Sequence, residues 1–209
     1  MIKASEITAI VLAAGKSSRM GEQKLLLPWG KRSVLGQVIW TIRTAGVKDV
    51  LVIVGGYREL IETEAARWRA LPVFNPDFEQ GEMLSSVQTG IRFLPGTTQY
   101  CLIALGDNPQ IETRVVKKML TKIIGEPDET KPKILMPSFQ MRRGHPWLIQ
   151  RDWWSEILSI EPPETLRDFF RRANAEISYL EVDTPSIIRD LDTPEDYKQE
   201  SPGSTMRLV

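Results

Sequence analysis

The stretch that most narrows the possible folds is residues 7–15, Ile-Thr-Ala-Ile-Val-Leu-Ala-Ala-Gly. An apolar run of this length, rich in β-branched residues and closed by glycine, predicts a buried strand that ends in a loop. The loop over residues 15–24 carries small residues, then Arg19 and Lys24 with Gly21 between them. Buried strands that deliver such loops at their carboxyl ends are how α/β proteins build phosphate sites. Small residues let backbone N–H groups approach the oxygens, and cations neutralise charge. The residues after Gly15 supply neither Gly-x-x-x-x-Gly-Lys-Ser/Thr nor Gly-x-Gly-x-x-Gly, which excludes the two commonest phosphate motifs. The plainer reading is a surface loop with solvated cations.

Downstream, strands and helices alternate. Val34, Leu35, Val38, Ile39 and Ile42 share one helical face, with Ser33 placed as N-cap and Gly46 as stop. Residues 49–54 read as the second strand, 58–70 as a charged helix, 71–75 as a short strand and 80–93 as a helix. A strand over 100–105 and a helix over 112–124 follow, then a polar loop over 125–133. Strands are predicted at 134–137, 144–149, 176–182 and 187–191, helices at 152–160 and 164–174, and a last helix from Thr193. This order implies a single-domain, Rossmann-like three-layer α/β sandwich with a mostly parallel sheet over residues 1–200, and a flexible tail over 201–209. Ligands in such sheets bind beyond the carboxyl ends of the strands. That rule gathers residues 13–24, 55–57, 75–86 and 107–109 on one rim.

Composition narrows the class. Lys plus Arg and Asp plus Glu both number 27, for a formal net charge of zero, which speaks against non-specific binding to nucleic acid or membranes. The single cysteine, Cys101, lies in a strand pattern and excludes an intrachain disulfide; its expected role is a small core hydrophobe. No apolar run approaches the ~20 residues of a membrane span, and Glu6 and Thr8 interrupt any signal-peptide layout, so a cytoplasmic location is the default expectation.

Asp107 directly follows an apolar strand, so its carboxylate faces the phosphate loop, and carboxylate with phosphate oxygens is the donor set Mg²⁺ prefers. A turn aspartate before Pro109 is the alternative. Asp190 and Asp192 bracket Leu191, and strand alternation would put both on one side, where a cation or solvent must separate them. Asp192 or Thr193 could equally cap the final helix, with Pro194 in its first turn. His145 is the only histidine, and with a lone cysteine a zinc site is excluded. Ser85 and Ser86 open a helix without a Gly-x-Ser-x-Gly elbow, so they read as caps or as hydroxyls for a base or sugar.

Five ordered blocks resemble the MobA/MocA-like nucleotidyltransferases, and specifically the cytidylyl-transferring branch that acts on the molybdenum cofactor. They are residues 12–28 with Leu12-Ala13-Ala14-Gly15 and Lys24, residues 75–90, residues 105–109, Arg143-Gly144-His145-Pro146, and residues 190–196. The resemblance implies a fold of the nucleotide-diphospho-sugar transferase type, and attack by the phosphate of molybdopterin on an NTP with release of pyrophosphate. It implies that Arg19 and Lys24 stabilise the triphosphate, with Asp107 as a further catalytic residue, and that Asp107 and Asp192 hold Mg²⁺. Leu12, Ala13, Ala14, Gly15, Ser17 and Lys24 would contact the nucleotide. Gly81, Ser85 and Ser86 would hold base and ribose, and Arg143, Gly144, His145 and Asp190 would face the acceptor. Guanylyl-transferring members usually read Leu-Ala-Gly-Gly at the first block, so Ala14 favours CTP over GTP. Transfer to another phosphate, such as a sugar phosphate, and a non-catalytic cofactor-delivery role are the competing readings. A molybdoenzyme or its chaperone is the implied partner, with the chain a monomer or weak dimer. The chain departs from the pattern at Asn108, where the family commonly has glutamine, and in a segment at residues 81–86 that is one residue longer.

Overall fold

The computed structural model describes residues 2–15, 23–80 and 82–202. The tail expected at 201–209 therefore lies, beyond Pro202, outside the described residues. In chain order the strands are β1 (Ile7–Ala13), β2 (Pro28–Trp29), β3 (Arg32–Ser33), β4 (Asp49–Val54), β5 (Leu71–Phe74), β6 (Tyr100–Leu105), β7 (Ile134–Phe139), β8 (Arg142–Arg143), β9 (Trp147–Gln150) and β10 (Ile177–Glu181). The helices are α1 (Val34–Ala45), α2 (Arg58–Arg67), α3 (Glu82–Arg92), α4 (Thr113–Gly125), α5 (Trp154–Leu158), α6 (Leu166–Arg172) and α7 (Pro194–Glu200).

The main sheet runs β10-β7-β9-β6-β1-β4-β5, with β8 paired to β7. β1 sits between β4 and β6, parallel to both, while β9 runs antiparallel to β6 and β7. Two apolar layers cover the sheet. Ala9, Val11 and Ala13 of β1 join one with α1 and α4, and Ile10 joins the other with α3, α5 and α6. Because successive side chains point to opposite faces, burial of both faces makes β1 apolar throughout. The mostly parallel α/β architecture agrees with the sequence reading. Among the described residues no helix is long and apolar enough to cross a membrane.

Local chemistry explains the well-read elements. Ser33 caps α1, accepting from the Gly36 N–H at 2.8 Å and donating to Glu64 at 2.6 Å. Gly46 ends that helix with φ +121°, a conformation open to glycine at little cost. Cys101 is fully buried, and burial pushes its thiol up to about 12, which fits the inert core role.

Three expectations change. The strand read at 187–191 is a 3-10 turn, Pro185–Ile188, followed by irregular chain. Pro185 has no N–H and the Thr184 hydroxyl caps the turn at Ser186, so the ladder is never started. The strand read from residue 144 begins only at Trp147, because the His145 N–H donates to the Ile187 carbonyl at 2.9 Å. The helix read to residue 70 stops at Arg67, past which Arg69 adopts φ +58°. Two short pairings were not legible: the β2–β3 hairpin, and β8, reached through a turn in which Gln140 and Met141 both have positive φ.

Candidate active site

The carboxyl ends of β1 and β6 meet at the rim. The Gly106 N–H donates to the Leu12 carbonyl at 2.9 Å, and a Cβ on Gly106 would lie 2.8 Å from that oxygen, so only glycine lets the chain cross β1 here. The crossing turns Asp107 towards Lys24, which opens a 3-10 turn (Lys24–Leu26). Lys24 Nζ lies 2.5 Å from Asp107 Oδ2 and 3.7 Å from Asp192 Oδ1, and donates to the Leu191 carbonyl at 2.8 Å. Leu191 is fully buried, and its N–H donates to the Asp107 carbonyl at 3.3 Å. Backbone and side chain together therefore tie residues 190–192 to the end of β6.

The final helix supports this placement. Thr193 and Asp196 form a capping box, with Asp196 Oδ2 accepting from the Thr193 N–H at 2.8 Å and the Asp192 N–H at 3.2 Å. Thr193, not Asp192, is thus the cap, which leaves the Asp192 carboxylate to face Lys24. Asp190 joins the group without the strand geometry expected for it. Partial burial, then the nearby Asp107 and Asp192 charges, push its carboxyl up to about 6, and Lys24 opposes the shift. Asp190 as a residue is exposed, so solvent screens that repulsion.

A second group forms at the end of β5. Asn75 is fully buried; its Nδ2 donates to Ser85 Oγ at 2.8 Å and Ser86 Oγ at 3.1 Å, while its Oδ1 accepts from the Asp77 N–H at 3.0 Å. Asn75 thus fixes the first turn of α3 against the rim. Sequence reading placed Asn75 in a block but gave it no role; the one available signal was a polar residue straight after a buried strand. Ala13 and Ala14 are buried, Leu12 half-buried and Gly15 exposed. A cleft of about 790 Å³ opens beside Ser85, walled by Asp77, Met83 and Gln88 on one side and Pro162, Thr165 and Arg167 on the other, a volume suited to a small molecule. Arg19, Ser17 and Gly81 lie outside the described residues.

The residues expected to face the acceptor divide. Arg143 sits on the exposed β8, its guanidinium 5.6 Å over the Tyr179 ring. His145 stacks on Trp147 with ring centroids 4.1 Å apart, and its enclosed Nδ1 has no hydrogen-bond partner among the described residues. With Asn108, whose buried amide likewise has no partner among the described residues, it lines a cavity of about 10 Å³, room for a single water. Gly144 is a close-approach position: a Cβ there would lie 2.2 Å from the Ile187 carbonyl oxygen. Gly144→Ala is therefore expected to lower the unfolding free energy by about 1–3 kcal/mol as the 187–192 segment is pushed away. Urea denaturation checks this, and an unchanged midpoint and slope would refute it.

Among the described residues, no group of three or more His, Cys, Asp or Glu side chains forms a ready-made metal cage. Asp107 and Asp192 alone are a hard-oxygen pair of the kind that shares a Mg²⁺ with phosphate and water ligands, so the donor set fits that ion.

A family model described as the MobA-like NTP transferase domain matches residues 9–177. It ends before Asp190 and Asp192, whose place at the site rests on the geometry above. The molybdenum cofactor cytidylyltransferase of Escherichia coli (strain K12) is 28% identical over 195 residues, covering 92% of this chain and 94% of that protein. A molybdenum cofactor guanylyltransferase of Xanthomonas euvesicatoria pv. vesicatoria (strain 85-10) is 51% identical over 45 residues, 22% of this chain and 24% of that one. Among solved structures, Rv0371c from Mycobacterium tuberculosis H37Rv superposes with a TM-score of 0.79 at 23% identity, covering 94% of this chain and 98% of that one; at that identity the likeness speaks to the fold alone.

Proposed function

We propose that this chain, which belongs to the family of MobA-like NTP transferase domains, transfers CMP from CTP to the phosphate of molybdopterin with release of pyrophosphate. The observation that carries the reading is the convergence of Asp107 and Asp192 on the Lys24 ammonium, beside the end of β6. An oxygen of the acceptor phosphate attacks the α-phosphorus. The new P–O bond forms as the bond to the β-phosphate bridging oxygen breaks, and pyrophosphate leaves with that electron pair. The attacking phosphate is already ionised near pH 7, so no strong general base is required. The work is positioning and charge neutralisation.

In this reading Lys24 and Arg19 balance the triphosphate charge, and Asp107 and Asp192 hold Mg²⁺. When bound, the ion shields the charge that builds up on the phosphate oxygens. Leu12, Ala13, Ala14, Gly15 and Ser17 line the nucleotide, and Gly81, Ser85 and Ser86, the two serines steadied by Asn75, support base and ribose. Arg143 and Asp190 stand towards the acceptor, with Gly144 and His145 clamping the segment that carries Asp190. The Ala14 methyl narrows the base pocket, and the full-length similarity to a cytidylyltransferase supports CTP. The short match to a guanylyltransferase makes GTP the rival.

A nucleotide panel with Mg²⁺ and molybdopterin, read by pyrophosphate release, tests this. CTP is expected to exceed GTP in kcat/KM by about tenfold or more. Turnover with GTP but not CTP would overturn the cytidylyl assignment. Tight cofactor binding without turnover of any NTP would point to a delivery role instead.

A further inference from the structure

We infer that Lys24 competes with a divalent ion for Asp107 and Asp192, so that the species this site accepts is the metal–nucleotide chelate rather than the free ion. The inference rests on the nucleotidyl-transfer reading and adds the residue that sets the order of loading. Its basis is geometric. The ammonium of Lys24 lies between the two carboxylates that would hold the ion, at 2.5 and 3.7 Å, and a third bond at 2.8 Å to the Leu191 carbonyl fixes it there. Lys24 is thus an internal cation already paired with the two carboxylates that the proposed reaction assigns to the ion.

A free divalent ion entering this pair would have to drive Lys24 off both carboxylates. The lysine side chain is only 15% exposed, so the displaced ammonium would stand largely desolvated and without its counter-charges. An uncompensated, partly buried charge is costly. The arithmetic changes when the ion arrives on a triphosphate. Phosphate oxygens then replace the carboxylates as acceptors for Lys24, while the ion exchanges water for Asp107 and Asp192. Every charge keeps a partner throughout. With two carboxylates rather than a full cage, the pair also depends on phosphate and water oxygens to complete the coordination. Nucleotide and metal therefore raise each other's affinity, as linkage requires, and Lys24 is the coupling element.

The test uses the full chain with Mn²⁺ alone as the probe, the free ion being counted by electron paramagnetic resonance. Lys24→Met is expected to bind Mn²⁺ about tenfold or more tightly than the wild-type chain in the absence of nucleotide, within the usual range of couplings between sites. Lys24→Arg keeps the charge and should stay as weak as wild type. The double variant Lys24→Met/Asp107→Asn should lose the gain, which places the ion at this pair and not elsewhere. Equal or weaker Mn²⁺ binding by Lys24→Met, in protein that melts as a folded chain, overturns the inference. If that variant does not fold, Lys24→Gln carries the same comparison. Pyrophosphate release by the wild-type chain separates the two levels. Turnover with no Mn²⁺ gain in the variant sinks only the competition, whereas absence of turnover with every NTP sinks the nucleotidyl-transfer reading.

Discussion

Asp107→Asn is expected to reduce pyrophosphate release by about a thousandfold or more, while the chain stays folded. The substitution keeps the size of the side chain and removes the charge closest to Lys24, 2.5 Å from its ammonium. It also replaces one of the two carboxylates available to Mg²⁺ in the proposed reaction by a neutral amide, a far weaker ligand. Loss of a single preorganised charge-stabilising group costs about 10²–10³ in kcat. The upper end applies here because metal holding and the orientation of Lys24 fail together. A thousandfold loss corresponds to about 4 kcal/mol of transition-state stabilisation. Folding should be little affected, because the backbone bonds that hold this corner, from Gly106 N–H to Leu12 and from Leu191 N–H to Asp107, do not use the carboxylate. Steady-state kinetics with circular dichroism as the folding control decides it. Wild-type kcat in a folded variant would remove Asp107 from the machinery.

The second large effect is on stability and involves His145. Burial holds its imidazole well below its ordinary range, at about 4 instead of 6.5, and only the Ile103 backbone pulls the other way. A base whose folded pKa is depressed is neutral in the fold, while the unfolded chain takes up a proton as pH falls through 6.5. The stability it contributes is therefore complete above about pH 6.5 and is lost progressively down to about pH 4, where the folded state protonates as well. The shift corresponds to about 3 kcal/mol. That is a ceiling, because the residue as a whole keeps some solvent contact although its Nδ1 is enclosed. Chemical denaturation of the wild-type chain and His145→Gln at several pH values isolates the effect. The difference between the two curves should close between pH 6.5 and 4, carboxylate titrations being common to both. With a single histidine in the chain, NMR reads its pKa directly. A value near 6.5, or parallel curves, would refute the assignment.

The side chains of the candidate site differ in how far their placement could be read in advance. The rim position of Asp107 was legible because it follows an apolar strand, and a chain leaving a buried strand has to present its next polar residue at the rim. Asp192 was legible only as a carboxylate near a helix start. Whether it capped α7 or faced the site depended on Thr193 and Asp196 taking the cap between them. His145 and Gly144 were assigned towards the acceptor, yet the His145 ring stacks on Trp147 and Gly144 passes within van der Waals range of Ile187. The segment at 187–191 looked like a strand by composition. Its long-range backbone–backbone hydrogen bonds instead go singly to His145 and Asp107, which are distant in sequence and silent in any local pattern. Asn75 showed only a polar residue straight after a buried strand; its role depends on four partners between two and fourteen residues downstream.

Amino-acid order alone determined the alternation of strands and helices, the parallel character of the sheet, the buried character of β1 and the rim on which polar residues would gather. Those follow from local physics: side-chain periodicity, capping and the conformational freedom of glycine. Only the tertiary structure decided that Lys24 lies between Asp107 and Asp192, that Asp190 shares their charge environment, and that His145 turns inward. Electrostatic interactions depend on separation in space, and charge partners here are up to 168 residues apart in the chain, so their pairing exists only once the sheet has brought the ends of β1 and β6 and the approach to α7 to one point.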